Sequence, residues 1–260
     1  MSGAAIVWLV IGSAALVAIG VPMAIAMRAM RRWKLTFGQA TLIHVVNALF
    51  SRVLWRTKVD RPLPIADGMG SIIIANHTSS FDPMFVARTT DRLVHWMVAR
   101  EYCRDWRLGW FFRLLEQIPT GRAGIDSAAI KHAIRLASEG QLVGMLPEGR
   151  INTGKDLLLP GRPGVVLVAM KARVPIVPCY IKDAPYGGTL GPLFRPAHVR
   201  VAVGEPIDLA EYYGREKDSE LMAELTKRCL SAIARLAGRE DFVPQVAGRK
   251  WLPDAQETVE

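Results

Sequence analysis

From about residue 70 onward the chain alternates short apolar runs with longer helix-forming stretches, and few architectures accept that pattern. The runs Ser71–Ala75, Leu93–Val98, Gln141–Leu146, Pro175–Ile181 and His198–Val203 have the length and composition of buried strands. The stretches Asp126–Ser138, Gly164–Lys171 and Ser219–Leu236 have the spacing of helices. Alternation of this kind predicts an α/β sandwich. The connections are long and turn-rich, so it does not dictate a strict doubly wound order. With 260 residues, half of them apolar, the chain can build one such domain with a real core and an appendage.

In α/β sheets, ligand chemistry gathers in the loops beyond the carboxyl ends of strands, so the residues after each run carry the most information. The first run is followed by Asn76-His77-Thr78-Ser79-Ser80-Phe81-Asp82-Pro83. Residues five apart on a straight helix point about 140° away from each other. His77 and Asp82 can therefore meet only if this segment is a turn, and Ser79, Ser80 and Pro83 favour one. If they meet, the imidazole can take a proton from a hydroxyl while the carboxylate fixes its tautomer and offsets its charge. The plainer alternative is a turn in which Asp82 caps a helix starting near Pro83.

Three more segments share this strand-then-loop form. Leu146-Pro147-Glu148-Gly149-Arg150-Ile151-Asn152-Thr153-Gly154-Lys155 offers a carboxylate, two cations and a glycine that lets backbone approach a ligand. It lacks the spacing of a Walker A loop. Ile118-Pro119-Thr120-Gly121-Arg122 sets an arginine ahead of a helix start near Asp126, where it can share an anion with free N–H groups. Val174-Pro175-Ile176-Val177-Pro178 reads as a buried strand that could wall an apolar pocket.

The N-terminus sets the cellular context. No charged side chain occurs from Met1 to Met27, whereas Arg28, Arg31, Arg32 and Lys34 follow directly. About 20 apolar residues cross a bilayer core, and positive charge after the run places the C-terminal side in the cytoplasm. A spanning helix and a re-entrant one both fit. From Phe37 to Thr57, Leu42, Val45, Val46, Leu49, Phe50, Val53 and Leu54 recur at helical spacing, with Trp33 and Trp55 as expected interfacial anchors. Such a helix can lie among headgroups or pack on the globular part. The expected organisation is a membrane-embedded helix and basic flank over 1–35, an amphipathic helix and linker over 36–65, a globular domain over 66–240, and a polar tail over 241–260.

The formal charge of +9 favours anionic partners: lipid headgroups, phosphorylated substrates or nucleic acid. No RNA-binding motif or zinc-finger spacing supports the last. Three scattered cysteines, Cys103, Cys179 and Cys229, fit buried thiols in a reducing compartment rather than a disulfide framework or zinc site.

These four segments, in this order, resemble the glycerolipid acyltransferases, the family of bacterial 1-acylglycerol-3-phosphate acyltransferases. The family's His-x4-Asp motif is matched by His77 and Asp82, and its second-motif arginine by Arg122. Its Pro-Glu-Gly-Thr-Arg motif is matched by Pro147, Glu148 and Gly149, and its Val-Pro-Ile-Val-Pro-like strand by Val174 to Pro178. The likeness covers roughly residues 70 to 205. The family's Glu-Gly-Thr-Arg reads Glu148-Gly149-Arg150-Ile151 here. The threonine is missing and the arginine comes one position early, leaving Arg150, Thr153 and Lys155 to supply the lost groups.

The resemblance implies an α/β fold with a mixed sheet flanked by helices, and acyl transfer without a covalent intermediate. His77 would act as general base, Asp82 would orient it, and backbone N–H groups of the loop or a side chain there would hold the oxyanion. Substrate would meet Arg122, Glu148, Gly149, Arg150, Thr153 and Lys155, with Val174, Pro175, Ile176 and Pro178 as the acyl-pocket strand. Acyl-CoA or acyl carrier protein would be the donor and lysophosphatidic acid the acceptor, giving phosphatidic acid at an anionic cytoplasmic membrane, with no metal or prosthetic group. Glycerol 3-phosphate or a lyso-lipid without a phosphomonoester is the alternative acceptor. A hydrolase and a membrane-tethered scaffold are the other classes.

Overall fold

The computed structural model describes residues 2–121, 126–186, 188 and 190–247. Helix α1 (Gly3–Trp33) starts at a Ser2 cap, whose hydroxyl accepts the Ala5 N–H. Its 31 residues extend roughly 46 Å. The side chains at 10–11 and 14–19 are outside the described set. Among the described residues no helix is long and apolar enough to cross a membrane.

The amphipathic stretch is one rod in three pieces: α2 (Phe37–Ala40), a π-helical segment (Thr41–Val46) and α3 (Asn47–Val53). A reciprocal capping box of Thr36 and Gln39 starts it. Its inner face buries Ile43, Ala48 and Ser51, and its outer face leaves Leu49 60% and Val53 69% exposed. The helix thus packs on the globular part through one face and exposes apolar side chains on the other.

Seven strands follow: β1 (Lys58–Val59), β2 (Ser71–Ala75), β3 (Val94–Ala99), β4 (Ile118–Thr120), β5 (Leu142–Met145), β6 (Ile176–Lys182) and β7 (Arg200–Val203). They form one sheet in the order β1-β7-β6-β2-β5-β3-β4. All neighbouring pairs are parallel except β6 with β7, so the sheet is mixed, as expected. The helices between them are α4 (Asp82–Val86), α5 (Arg100–Arg104), α6 (Gly109–Leu114), α7 (Ser127–Ser138) and α8 (Gly164–Ala172), and α9 (Ser219–Leu236) follows the last strand.

The period-2 alternation of strands splits the core into two layers. Ile72 and Ile74 join α7, α8 and α9 on one face, whereas Ile73 and Ala75 join Phe85, Val86 and Trp55 on the other. In β5, Gly144 is required by contact: a Cβ there would lie 2.3 Å from the Trp96 ring.

The segment 36–65 is more than a linker. It contributes β1, and Trp55 is fully buried among Phe50, Phe81 and Phe85, its indole N–H donating to the Pro192 carbonyl at 3.0 Å. Trp55 is therefore a core residue, not an interfacial anchor. Trp33 is half-buried, with the Arg32 and Arg92 guanidinium groups over its ring. At the other end, the Gln245 carbonyl and Ala247 N–H pair with Gly161. The first part of the polar tail is thus bound to the domain; residues 248–260 lie outside the described ones.

Candidate active site

The parallel strands β2, β3, β4, β5 and β6 end on one edge of the sheet. Asn76 stands directly after β2, 2% exposed, and its side chain copies a peptide. It donates to the Ile181 carbonyl at 2.9 Å and accepts the Ile181 N–H at 2.7 Å. This prolongs the β2–β6 ladder and fixes the point where the chain leaves the sheet.

Beyond it, His77 and Asp82 meet. His77 Nδ1 lies 2.9 Å from Asp82 Oδ2. The same oxygen accepts the N–H groups of Thr78 at 2.8 Å and Ser79 at 2.9 Å. The segment is a turn: the Asp82 N–H donates to the Ser79 carbonyl and the Phe81 N–H to Ser79 Oγ. Asp82 is wholly buried, whereas the His77 side chain keeps 17% of its surface exposed. A ring that donates from Nδ1 to a carboxylate presents the lone pair of Nε2 outward, the tautomer a base requires. Asp82 is the first residue of α4, but its carboxylate does not cap that helix; it turns back to His77 and the Thr78 and Ser79 N–H groups.

Most of the loop's backbone donors are used within it. The N–H groups of His77, Thr78, Ser79, Phe81 and Asp82 are all spent on internal partners. None of these five is left for an oxyanion.

Glu148 is wholly buried, and its carboxylate faces inward. Oε1 accepts the His77 N–H at 2.7 Å and Oε2 the Leu159 N–H at 2.8 Å. Expected among the substrate contacts, it grips the backbone of His77. Burial pushes its carboxyl from an ordinary 4.5 up to about 7, against the downward pull of the Leu159 and His77 N–H groups. The His77 carbonyl in turn accepts the Asn152 N–H at 2.6 Å. Asn152 is 7% exposed, and its amide shapes the following turn through Gly154 and Asp156. The β5 loop thus holds His77 by both its backbone groups.

Gly149 adopts φ +70°, a conformation that favours glycine. The position of a Cβ there lies 3.3 Å from Arg162 Nε, so the space next to Gly149 is taken by that guanidinium. Arg150 is half-buried beside Glu148, and Thr153 and Lys155 are exposed in the loop tied to His77. Arg122 lies outside the described residues; β4 ends two residues before it, on the reactive edge. Val174, Ile176 and Pro178 are buried, and Pro175 is half-buried. Val174 and Ile176 pack with α8 and α9. Ile176 and Pro178 lie in β6, the strand beside the one that leads to His77, and Val174 and Pro175 directly precede it.

Sequence reasoning gave no role to Asn76, Asn152 or Arg162. An Asn directly after an apolar strand is a usable signal, because a buried amide must find partners. Nothing local marks Asn152 or Arg162; their roles come from the fold of the β5 loop.

A family model described as Acyltransferase matches residues 56–182. The 1-acyl-sn-glycerol-3-phosphate acyltransferase of Bacillus subtilis is 26% identical over 148 residues, 57% of this chain and 71% of that protein. An uncharacterised protein of Mycobacterium tuberculosis is 29% identical over 46% of this chain and 45% of its own length. The crystal structure of the 1-acyl-sn-glycerophosphate (LPA) acyltransferase PlsC from Thermotoga maritima superposes with a TM-score of 0.59 at 18% identity, over 87% of this chain and 92% of that one. Residues 56–182, which hold the His77–Asp82 pair and the Glu148 loop, are an acyltransferase-family domain, similar in sequence to the 1-acyl-sn-glycerol-3-phosphate acyltransferase of Bacillus subtilis, and the chain shares its fold with the LPA acyltransferase of Thermotoga maritima.

Proposed function

We propose that this protein moves an acyl group from a thioester, acyl-CoA or acyl carrier protein, to the sn-2 hydroxyl of lysophosphatidic acid. The observation that carries the reading is the His77–Asp82 pair, with Nε2 facing outward at an edge rich in cations. The acceptor hydroxyl gives its proton to His77 Nε2 as its oxygen attacks the thioester carbon. The imidazolium that forms is held by Asp82. The C–S bond then breaks, and His77 returns the proton to the departing thiolate. Ser79 is wholly buried and Ser80 Oγ donates to the Gly188 carbonyl at 3.2 Å, which supports direct transfer over a serine ester. Arg122, Arg150 and Lys155 are assigned to the acceptor phosphate, and Arg162 joins them.

The protein is placed at the cytoplasmic face of the inner membrane, with α1 embedded. The charge-free run and the arginines after it support this. So do the exposed Phe37, Leu49 and Val53, and Trp106 and Trp110 between β3 and β4. An acceptor in the leaflet and a donor in solution can then meet at one edge.

The test is a panel of lysophosphatidic acid, glycerol 3-phosphate and a lyso-lipid lacking a phosphomonoester, each with both donors. Phosphatidic acid formed at a kcat/KM at least tenfold above the other products supports the assignment. Free fatty acid released without acceptor would identify a hydrolase instead.

A further inference from the structure

Strand register places a row of cations beside the reactive edge. Lys182, at the end of β6, pairs with Arg200 of β7, and Arg200 pairs with Lys58 of β1. Residues directly opposite across strands share a face, so three exposed cations stand side by side. Arg56 and His198 lie two positions before Lys58 and Arg200, and Arg56 Nη1 sits 3.1 Å from His198 Nε2. Arg56, Lys58, His198 and Arg200 line one surface cleft together with Val199.

Like charges directly opposite one another destabilise a sheet. Among the described residues none of Arg56, Lys58, Lys182 or Arg200 has a salt bridge. Of the carboxylates next to them in the chain or the sheet, Glu205 pairs with Arg61, Asp60 accepts the N–H groups of Arg61 and Val203, and Asp183 is exposed after Lys182. Arg56 is also held at φ +39°, a strained backbone for a side chain of its size, and such strain collects at ligand sites.

The row starts beside the catalytic histidine. Ile181, one residue before Lys182, is the residue that Asn76 pairs with. From β2 to β1 the sheet crosses two intervening strands, so the row ends about 14 Å from the β2 axis at about 4.8 Å per strand.

We propose that this row binds the phosphate end of the thioester donor. It rests on the acyl-transfer reading and adds the donor's site to it. A thioester donor joins its acyl carbonyl to phosphate through a long, flexible pantetheine arm. If the carbonyl lies at His77, the arm runs along the strand ends over β6 and β7 and sets its phosphate among Lys182, Arg200, Lys58 and Arg56. The acceptor phosphate is left to the opposite flank, where the loop after β5 carries Arg150 and Arg162. Coenzyme A and the phosphopantetheine of a carrier protein share the chemistry, so both are arms of the test.

The full-length protein carrying Arg200→Ala, and separately Lys58→Gln, is assayed with both donors, and coenzyme A alone is titrated calorimetrically. Both positions are exposed and outside the proton-transfer machinery. The expected result is a rise of five- to twentyfold in donor KM, an unchanged acceptor KM and a matching weakening of coenzyme A binding. A shift with acyl-CoA but not acyl carrier protein assigns the row to the nucleotide phosphates. A shift with both assigns it to the phosphate common to the two. Unchanged donor KM and coenzyme A affinity overturn the proposal, as does a loss confined to vesicle binding. If the wild type transfers no acyl group, the acyl-transfer reading fails, and the coenzyme A titration still decides whether the row binds this ligand.

Discussion

Glu148 shows how much a single buried side chain can decide. Its two oxygens meet two backbone N–H groups, one of them that of His77, so the ionised form fits the geometry while burial opposes the charge. With its carboxyl raised from 4.5 to about 7, the folded protein holds a proton there that the unfolded chain releases between those values. Stability linked to this group therefore rises as pH falls through about 7 and is complete below 4.5. The shift corresponds to something on the order of 3 kcal/mol. Glu148→Gln carries a pH-independent cost, because its amide N–H2 must face an N–H donor. Denaturant unfolding between pH 8 and pH 5 should thus show the wild type gaining roughly 2–3 kcal/mol relative to the variant. A difference that stays flat with pH would contradict the assignment. The sequence showed that His77 and Asp82 required a turn, because their spacing fits no straight helix. It could not show which way Glu148 points, because that depends on the Leu159 N–H eleven residues on.

Among the elements, α3 reaches furthest beyond its expected role. Its Asn47, 3% exposed, donates to the Met84 carbonyl at 2.9 Å and accepts from Ser51 Oγ at 3.1 Å. Met84 lies in α4, the short helix that Asp82 opens, so a residue outside the matched domain steadies the helix that carries the proposed partner of His77. Asn47→Ala leaves buried groups unsatisfied and should cost about 1–3 kcal/mol. It should lower kcat severalfold while acceptor KM stays within twofold, with Asn47→Gln, which keeps the donor, recovering part of the loss. A variant that loses stability but keeps full kcat would reduce Asn47 to a packing role. The long strands and α7, α8 and α9 were legible because apolar periodicity specifies them. β1 and β4, with two and three residues, are too short to carry a period, and α5 and α6 are single turns set by their neighbours. The polar stripe of α3 looked like ordinary amphipathic spacing, because pattern cannot separate a buried Asn from an exposed one.

At the scale of the whole molecule, the proposed anchor and the α/β domain are joined through packing. Ala26 and Leu35 cluster with Ala40, Ile43 and Leu93, and Gln39 Nε2 donates to the Leu114 carbonyl and to Glu116 Oε1. Deleting residues 1–35 should move most of the protein from the membrane to the soluble fraction. A remainder should stay bound through Leu49, Val53 and the arginines beside them, and high salt should release it. Complete retention on the membrane would show that α1 is not the main anchor. The central claim, proton abstraction by His77, is tested most directly by acyl transfer from thioester to lysophosphatidic acid by His77→Ala in vesicles, with folding checked by circular dichroism. Loss of a general base typically costs 10²–10⁴-fold, so the variant should remain folded and membrane-bound with turnover lowered at least a hundredfold. A folded variant that keeps more than about a tenth of wild-type turnover, far above the range for a lost base, would contradict it.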